Sequence, residues 1–459
     1  MSRSASSGTS APPSGFRGYS EYADQEADWL RAIPVHWRPA RLKYLFTVKN
    51  GATPKSSEPR FWGGDIPWVT PEDLGGLEGT EILNPRRFIT AEGYRSCGTT
   101  LVPAGSLVLS ARAPIGHLAI AGTELCTNQG CKALVPKTNS DTRYFYYQLI
   151  AARPELRSRG QGSTFDELSR EHLSTVVLAD PPVPEQIVIR KFLDRQTRKI
   201  DELVSQKERV TWLLQEKRTA LITRAVTRGL DPNVPMKDSG VKWLGEIPAN
   251  WKVKPLKYLT KGRLQNGLFK KKEAYGSGTL LINVFDIYQE RFQVDEGKLE
   301  RVQVSLDEEK KYGVRAGDVF FVRSSLKLEG VGRSAASLEP TEATVFECHL
   351  VRARPNQELV RTEFLIHFLN SPPAVQRLVS LANTVTMSTL PQQSISSLEI
   401  ALPTVEEQAE IMRSLAERLN ELDALTRKIG EGIKRLRELR TSLISAAATG
   451  KIDVREEAT

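Results

Sequence analysis

The feature that most restricts how this chain can fold is that it is written twice. Trp29-Leu30-Arg31-Ala32-Ile33-Pro34-Val35-His36-Trp37 returns as Trp243-Leu244-Gly245-Glu246-Ile247-Pro248-Ala249-Asn250-Trp251, 214 positions later. Leu42-Lys43-Tyr44-Leu45 returns at the same offset as Leu256-Lys257-Tyr258-Leu259. A second echo closes each half. Pro181-Pro182-Val183-Pro184-Glu185-Gln186 matches Pro403-Thr404-Val405-Glu406-Glu407-Gln408, now 222 positions apart. Ile200 and Asp201 match Leu422 and Asp423, and Arg218 matches Arg440, at that same offset. The two halves are alike at their ends and unlike in their middles. That pattern fits one frame carrying two related modules that do the same job on different targets.

Each half reads as a globular segment followed by a long helix. At roughly 100–200 residues per domain, 459 residues exceed one ordinary core. Residues 1–24, rich in Ser, Gly, Ala and Pro, read as a disordered tail, and 25–181 as the first globular domain. Residues 182–228 follow as a first spacer helix, 229–402 as a linker and second domain, 403–450 as a second helix, and 451–459 as a C-terminal tail. Short apolar runs broken by Gly and Pro, such as Leu107-Val108-Leu109, predict mixed α+β domains. The expected fold class is α+β and internally duplicated, with two mixed α+β domains separated by two long antiparallel coiled-coil helices.

The helices show a heptad seam. In the first, Leu193, Ile200, Leu203, Val210, Leu214 and Leu221 recur at spacings of three and four, with Gln196, Lys207 and Lys217 between them. In the second, Leu415, Leu422, Leu425, Ile429, Leu436, Leu439 and Leu443 do the same, interrupted by Arg418 and Gly432. A helix of about 44 residues is about 66 Å long, more than one small domain can cover. The other helix is the natural partner. Parallel packing would need a return of about 66 Å, while the short linker spans at most about 40 Å. Antiparallel packing is therefore expected, with a domain at each end of a rigid rod.

Composition excludes several classes. No run of about 18 apolar residues occurs, so no membrane span is predicted. The opening residues lack the apolar stretch of a signal peptide. Cys97, Cys126, Cys131 and Cys348 form no CxxC pair, which fits reduced thiols and a cytoplasmic setting. Cys348 and His349 are adjacent but have no second ligand pair at zinc-site spacing, so no metal is expected. The net charge of +9 favours a polyanionic partner. Much of it sits on residues 184–228, with 11 basic and 6 acidic residues, whereas 403–450 balances at 8 and 8.

Catalytic signatures are missing. Gly330-Val331-Gly332-Arg333-Ser334 lacks the lysine and spacing of a phosphate loop. Asp180-Pro181-Pro182-Val183 resembles an amino-methyltransferase motif without its final aromatic, and it stands where a helix begins, so capping and turn chemistry explain it. Candidate DNA contacts in the first domain are Arg60, Trp62, Thr70, Arg112, Asn128 and Gln129, since Arg pairs with guanine and Asn or Gln with adenine. In the second they are Lys270, Lys271, Lys272 and Tyr275 for phosphates, and Arg323, Ser324 and Lys327 for bases. The plainer alternatives are that Trp62 and Trp68 belong to the core, that Arg112 is simply at the surface, and that the lysine triplet is a solvated face.

This set of motifs resembles the specificity subunit of type I restriction–modification systems. Lys237-Asp238-Ser239-Gly240-Val241-Lys242 before Trp243, and Pro403-Thr404-Val405-Glu406-Glu407-Gln408 before a long helix, carry the likeness. So do Gly51-Ala52-Thr53-Pro54, the Trp62–Trp68 run, Asn128-Gln129-Gly130 and Gly162-Ser163-Thr164. The resemblance implies two target-recognition domains, each reading half of a bipartite, asymmetric site in double-stranded DNA. It implies spacer helices that dock two modification subunits, with restriction subunits joining them. S-adenosylmethionine, ATP and Mg2+ would be held by those partners, and none by this chain. The second domain lacks a Gly-x-Thr-Pro run, so the two halves should read unrelated sequences. A free-standing two-headed DNA-binding regulator is the alternative, and an enzyme a third.

Overall fold

The computed structural model describes residues 15–458 apart from 113, 138, 161–166, 290, 385 and 386. The Gly162-Ser163-Thr164 run therefore lies outside the described residues, as do the first 14. The chain forms two compact units, Met1–Lys207 with Glu431–Thr459 and Glu208–Gly430. Each unit joins one globular domain to part of both long helices. The division into domains and separate spacer helices is corrected accordingly, because the apolar helix faces complete the domain cores. Ile189, Phe192, Leu193, Leu443 and Ile444 are buried in the first core, and Ile222, Val226, Ile411 and Leu415 in the second.

In the first unit a five-stranded sheet has the order Phe46–Asn50, Cys131–Pro136, Leu107–Ser110, Leu118–Ala121, Glu81–Ile82. All its pairings are antiparallel except the last. A second sheet sets Trp62–Val69 between Cys126–Thr127, parallel, and Arg87–Ile89, antiparallel across a bulge. A third pair joins Arg38–Arg41 to Val177–Asp180. Leu107–Ser110 and Leu118–Ala121 are buried along their whole length, as strands covered on both faces must be.

The second unit repeats this frame. Its sheet runs Gln265–Asn266, Leu350–Ala353, Asp318–Val322, Ser334–Ser337, again antiparallel. Tyr275–Ile282 lies parallel to Thr344–Phe346 and antiparallel to Glu300–Val302, again across a bulge. Lys252–Pro255 pairs with Glu399–Leu402. The middles that diverge in sequence thus share one topology.

The long helices span Val183–Arg228 and Val405–Ala448. Within the first unit, Asp201 near the start of one pairs with Arg440 near the end of the other, with Arg440 Nε donating at 2.9 Å. Within the second, Arg218 near an end pairs with Asp423 nearer a start. The helices are therefore antiparallel. The two ion pairs are copies of each other, since Arg218 and Arg440, and Asp201 and Asp423, are repeat mates.

The heptad phase is corrected. Leu203, Val210, Leu425 and Leu439 are 42–48% exposed. The positions one residue later turn inward instead: Thr197, Val204, Thr211 and Arg218 on the first helix, and Leu419, Thr426, Ile433 and Arg440 on the second, are each buried or partly buried. Leu193, Ile200, Leu214, Leu221, Leu415, Leu422, Ile429, Leu436 and Leu443 do face the packed side. Hydrophobicity drew the reading one residue off at Leu203, Val210, Leu425 and Leu439, whose inward neighbours include polar Thr211, Thr426 and Arg440, although Leu419 and Ile433 beside Arg418 and Gly432 mark the observed phase. Thr197 can sit inside because its hydroxyl donates to the Leu193 carbonyl at 2.7 Å, and the two arginines because each has its aspartate.

The repeated motifs are the seats on which the helices rest. Buried Gln186 donates to the Pro181 carbonyl at 2.8 Å and accepts from the Asp141 amide at 2.8 Å. Gln408 donates to the Pro403 carbonyl at 3.1 Å and accepts from the Arg361 amide at 2.8 Å. Glu407 accepts from Trp251 Nε1 at 2.8 Å and Asn250 Nδ2 at 3.1 Å. In the first copy Glu185 instead accepts from the Tyr19 hydroxyl at 2.7 Å and lies 2.9 Å from His36 Nε2, and buried Trp37 Nε1 has no hydrogen-bond partner among the described residues. Each Pro–Trp seat receives a helix end. Gly450 (φ +73) presses on Pro34 and Trp37, while Gly229 (φ +77) lies against Trp251 and Pro248.

Both expected tails are corrected. Tyr22–Asp24 pairs with Ala32–Pro34, Tyr19 is buried, and Phe16 meets Phe192 edge-on, so residues 15–24 belong to the fold. Ile452 and Val454 are buried, and the Asp453 amide donates to the Arg17 carbonyl at 2.8 Å. The apolar residues in both segments find cover on the first core. Just past residues 229–235, Met236–Asp238 forms a strand paired with Glu246–Pro248.

Candidate nucleic-acid interface

In the first domain the long strand Trp62–Val69 ends in a capping box. Thr70 caps the short helix Pro71–Gly75, its amide donating to Asp73 Oδ2 at 2.8 Å. Thr70 is thus occupied in holding the helix turn. Beside it, the Asn128-Gln129-Gly130 turn is closed by the Gly130 amide donating to Asn128 Oδ1 at 2.9 Å. Gln129 is exposed and accepts from the Thr53 hydroxyl. Gly51 is required here, because a Cβ would sit 2.1 Å from the Asn128 carbonyl oxygen. The Gly51-Ala52-Thr53-Pro54 run therefore packs against this turn. Arg112 borders it too, its Nε 3.2 Å from where a Gly130 Cβ would be, and forms a loose pair with Glu167 at 3.9 Å.

Four of the six expected residues, Thr70, Arg112, Asn128 and Gln129, thus lie at or beside this turn. Trp62 is half-buried, edge-on to buried Trp68 with centroids 5.0 Å apart. Arg60 is turned to carboxylates, Glu92 at 3.1 Å and Glu58 at 3.6 Å. Sequence reasoning missed Arg87, whose guanidinium stacks 3.6 Å from the Trp62 ring centroid, and Arg86, paired with Glu72. The Arg86-Arg87 tandem beside an aromatic was the available signal. A hollow of about 710 Å³ is lined by Thr70, Glu72, Arg86, Arg87, His117 and Asn128 among others. Burial and the nearby Arg153 and Arg157 lower the His117 pKa.

In the second domain the expected residues fall into two groups. Lys270 is partly buried and donates to Glu308 at 2.8 Å, whereas Lys271 and Lys272 are exposed. Tyr275 opens the long strand, and burial followed by Glu347 and Glu300 raises its pKa. Arg323, Ser324 and Lys327 lie elsewhere, after the central strand Asp318–Val322. Ser324 pairs with Thr389, Lys327 is exposed, and buried Arg323 Nε has no hydrogen-bond partner among the described residues. Ser324 and Lys327 line a hollow of about 680 Å³ with Phe285, Tyr288, Leu326 and His349. Glu347, Cys348 and His349 bring three possible ligand atoms within 4.8 Å of one another. Burial and the Glu347 carboxylate raise the Cys348 pKa and so favour the neutral thiol.

Backbone hydrogen bonds match the two domains position by position. The Ala111 amide donates to Gly130 O, and the Arg323 amide to His349 O. Asn128 N donates to Val69 O, and Glu347 N to Ile282 O. Gly267 takes the place of Gly51, since a Cβ there would lie 2.2 Å from the Glu347 carbonyl oxygen. Asn283 and Asp286 repeat the Thr70–Asp73 capping box. The frame thus aligns Arg112 with Ser324, and Asn128-Gln129-Gly130 with Glu347-Cys348-His349. The glycine survives where the Thr-Pro does not.

The family model described as the type I restriction modification DNA specificity domain matches residues 34–210 and 248–435. The chain belongs to this family. Its two matched segments are the two copies of the frame. The chain is 33% identical over 203 residues to the MjaIX specificity subunit of Methanocaldococcus jannaschii, a match covering 44% of this chain and 45% of that one. Over 94% of its length it is 24% identical to the Escherichia coli EcoBI specificity subunit, covering 90% of that protein. A chain solved in work on complex assembly and conformational transition of the type I system shares the fold, with a TM-score of 0.66 at 14% identity over 91% of this chain and 98% of that one. The HsdS subunit of Thermoanaerobacter tengcongensis does so at 0.50 and 15% identity, over 92% and 98%. Among the described residues no helix is long and apolar enough to cross a membrane.

Proposed function

We propose that this chain is the DNA sequence-specificity subunit of a type I restriction–modification complex. Each domain reads one half of a bipartite, asymmetric site, and the long helices hold the modification subunits. One observation carries the reading: a single backbone frame occurs twice and presents unlike side chains at matched positions. Arg112 stands opposite Ser324 in that comparison, and Gln129 opposite Cys348. Two domains built alike but lined differently suit two unlike half-sites. Exposed Leu203, Val210, Trp212, Leu425 and Leu439 on the helices supply apolar area for partners. Methyl transfer, ATP use and cleavage then belong to the modification and restriction subunits, with S-adenosylmethionine, ATP and Mg2+ held there.

Mapping methylated adenines in cells carrying the modification subunits, with and without this chain, tests the proposal. A bipartite motif that appears only with the chain is expected. Methylation or cleavage by the purified chain alone would refute it. So would tight sequence-specific binding by a chain that recruits no methyltransferase, the behaviour of a regulator.

A further inference from the structure

The two domains carry a hollow at the same place on their shared frame. Each lies among the helical turn after the long strand, the segment after the central sheet strand, and the turn at Asn128–Gly130 or Glu347–His349. Their sizes are close, about 710 and 680 Å³, but their linings differ. The first is the more polar of the two, with Thr70, Glu72, Arg86, Arg87 and Asn128 in its lining. The second is apolar, with Phe285, Tyr288, Leu326 and Met387. Phe285 occupies the capping-box position held by Glu72 in the first domain.

Phe285 and Leu326 are each 84% exposed. Two large apolar side chains held this far into solvent on one small rim are costly unless something covers them. Phe292, which also lines the hollow, has φ +56, and few residues other than glycine adopt this region. Its strain is held by the Ala336 amide donating to its carbonyl at 2.9 Å and by its ring meeting His367 edge-on. The backbone under the hollow is thus fixed in an unfavourable conformation rather than relaxed. Lys327 and Arg333 stand at the rim against one carboxylate, Glu329, so the surroundings suit a polyanion.

This inference rests on the proposed DNA-reading function. Two readers on one frame meet the duplex with the same face, so the face that differs most between them is where they read differently. In the major groove the one apolar group on a base edge is the thymine methyl. We infer that the hollow of the second domain reads thymine in its half-site, with Phe285 and Leu326 packing on the 5-methyl group and Lys327 and Arg333 meeting the flanking phosphates. The more polar hollow of the first domain, with Arg86, Arg87 and Asn128, reads hydrogen-bonding edges instead.

The test uses the full chain assembled with its modification subunits, once the methylated motif is mapped. Duplexes carry that motif with each thymine replaced in turn by deoxyuridine, which lacks only the methyl. At one or more thymines of a single half-site, affinity should fall about three- to tenfold. In the Phe285→Ala, Leu326→Ala double variant that loss should shrink below about twofold. Phe285→Leu, milder for folding, should keep most of the discrimination. Deoxyuridine that is tolerated at every thymine overturns the inference, as does a loss that the double variant leaves intact. So does a variant that reads DNA normally but no longer binds the modification subunits, which would make the hollow a protein contact. Failure of the assembly to methylate any defined motif would instead refute the proposed function itself.

Discussion

Single residues divide sharply between those that hold the frame and those free to read. Gly450→Ala puts a Cβ 2.5 Å from Pro34 Cδ at φ +73, whereas the nearest atom to a Gly229 Cβ is 3.5 Å away. Gly450→Ala should therefore cost about 2–3 kcal/mol and Gly229→Ala about 1 kcal/mol, read from denaturant midpoints. Equal costs would mean that the seat does not clamp the helix end. Burial, with help from Arg218, lowers the His367 pKa from its ordinary 6.5. The folded chain then resists protonation more than the unfolded one, so the contribution is intact above about 6.5 and is lost as pH falls below it. Melting temperature should drop on acidification, and His367→Gln should flatten that drop; an unchanged slope would show that other groups set it. At the reading surface, Arg112→Ala should relax one half-site, while Lys271→Ala with Lys272→Ala should weaken binding evenly and lower the salt slope by up to about 2. An unaltered methylated motif in Arg112→Ala would leave that arginine as plain surface.

The helices show how far periodicity reaches. The positions seven apart were legible because they are apolar and inward: Leu193, Ile200, Leu214 and Leu221, broken by Lys207, and Leu415, Leu422, Ile429, Leu436 and Leu443. The alternate positions were not legible, since the inward residues there include Thr197, Thr211, Arg218 and Arg440, while Leu203, Val210, Leu425 and Leu439 face out. A spacing of three or four differs by one residue, and hydrophobicity pointed to the wrong one at Leu203, Val210, Leu425 and Leu439 but to the right one at Leu419 and Ile433. The difference is measurable. Ile200→Ala should cost about 2–4 kcal/mol and Leu203→Ala under about 1 kcal/mol. Comparable losses would restore the narrower seam. The reciprocal ion pairs add a second check. Asp423→Arg with Arg218→Asp should recover most of the stability that either change alone removes, as judged by a double-mutant cycle. If the double variant is no better than the singles, that pair does not set the register.

For the whole molecule, the duplication matters more than any one motif. Both helices continue from one unit into the other, so under the proposed function they govern the tolerated spacer between half-sites. Removing one heptad from each, about 10 Å of helix, should shorten the spacer in the methylated motif by about three base pairs; an unchanged spacer would sink that role. The sequence by itself determined the duplication, the two long helices, their antiparallel sense and the family. They rest on residues repeated at a fixed offset, on residues recurring along one helix and, for the antiparallel sense, on a linker too short for a parallel return, all of it information local to the chain. Only the tertiary structure decided that the unlike middles share one frame, that the segments around residues 16–22 and 452–454 belong to the first core, and that Arg112 stands where Ser324 does. Those matches depend on which amide meets which carbonyl across a sheet. Backbone hydrogen bonds tolerate nearly any side chain, so they leave no mark in the sequence except where a carbonyl comes too close for a Cβ, as at Gly51 and Gly267.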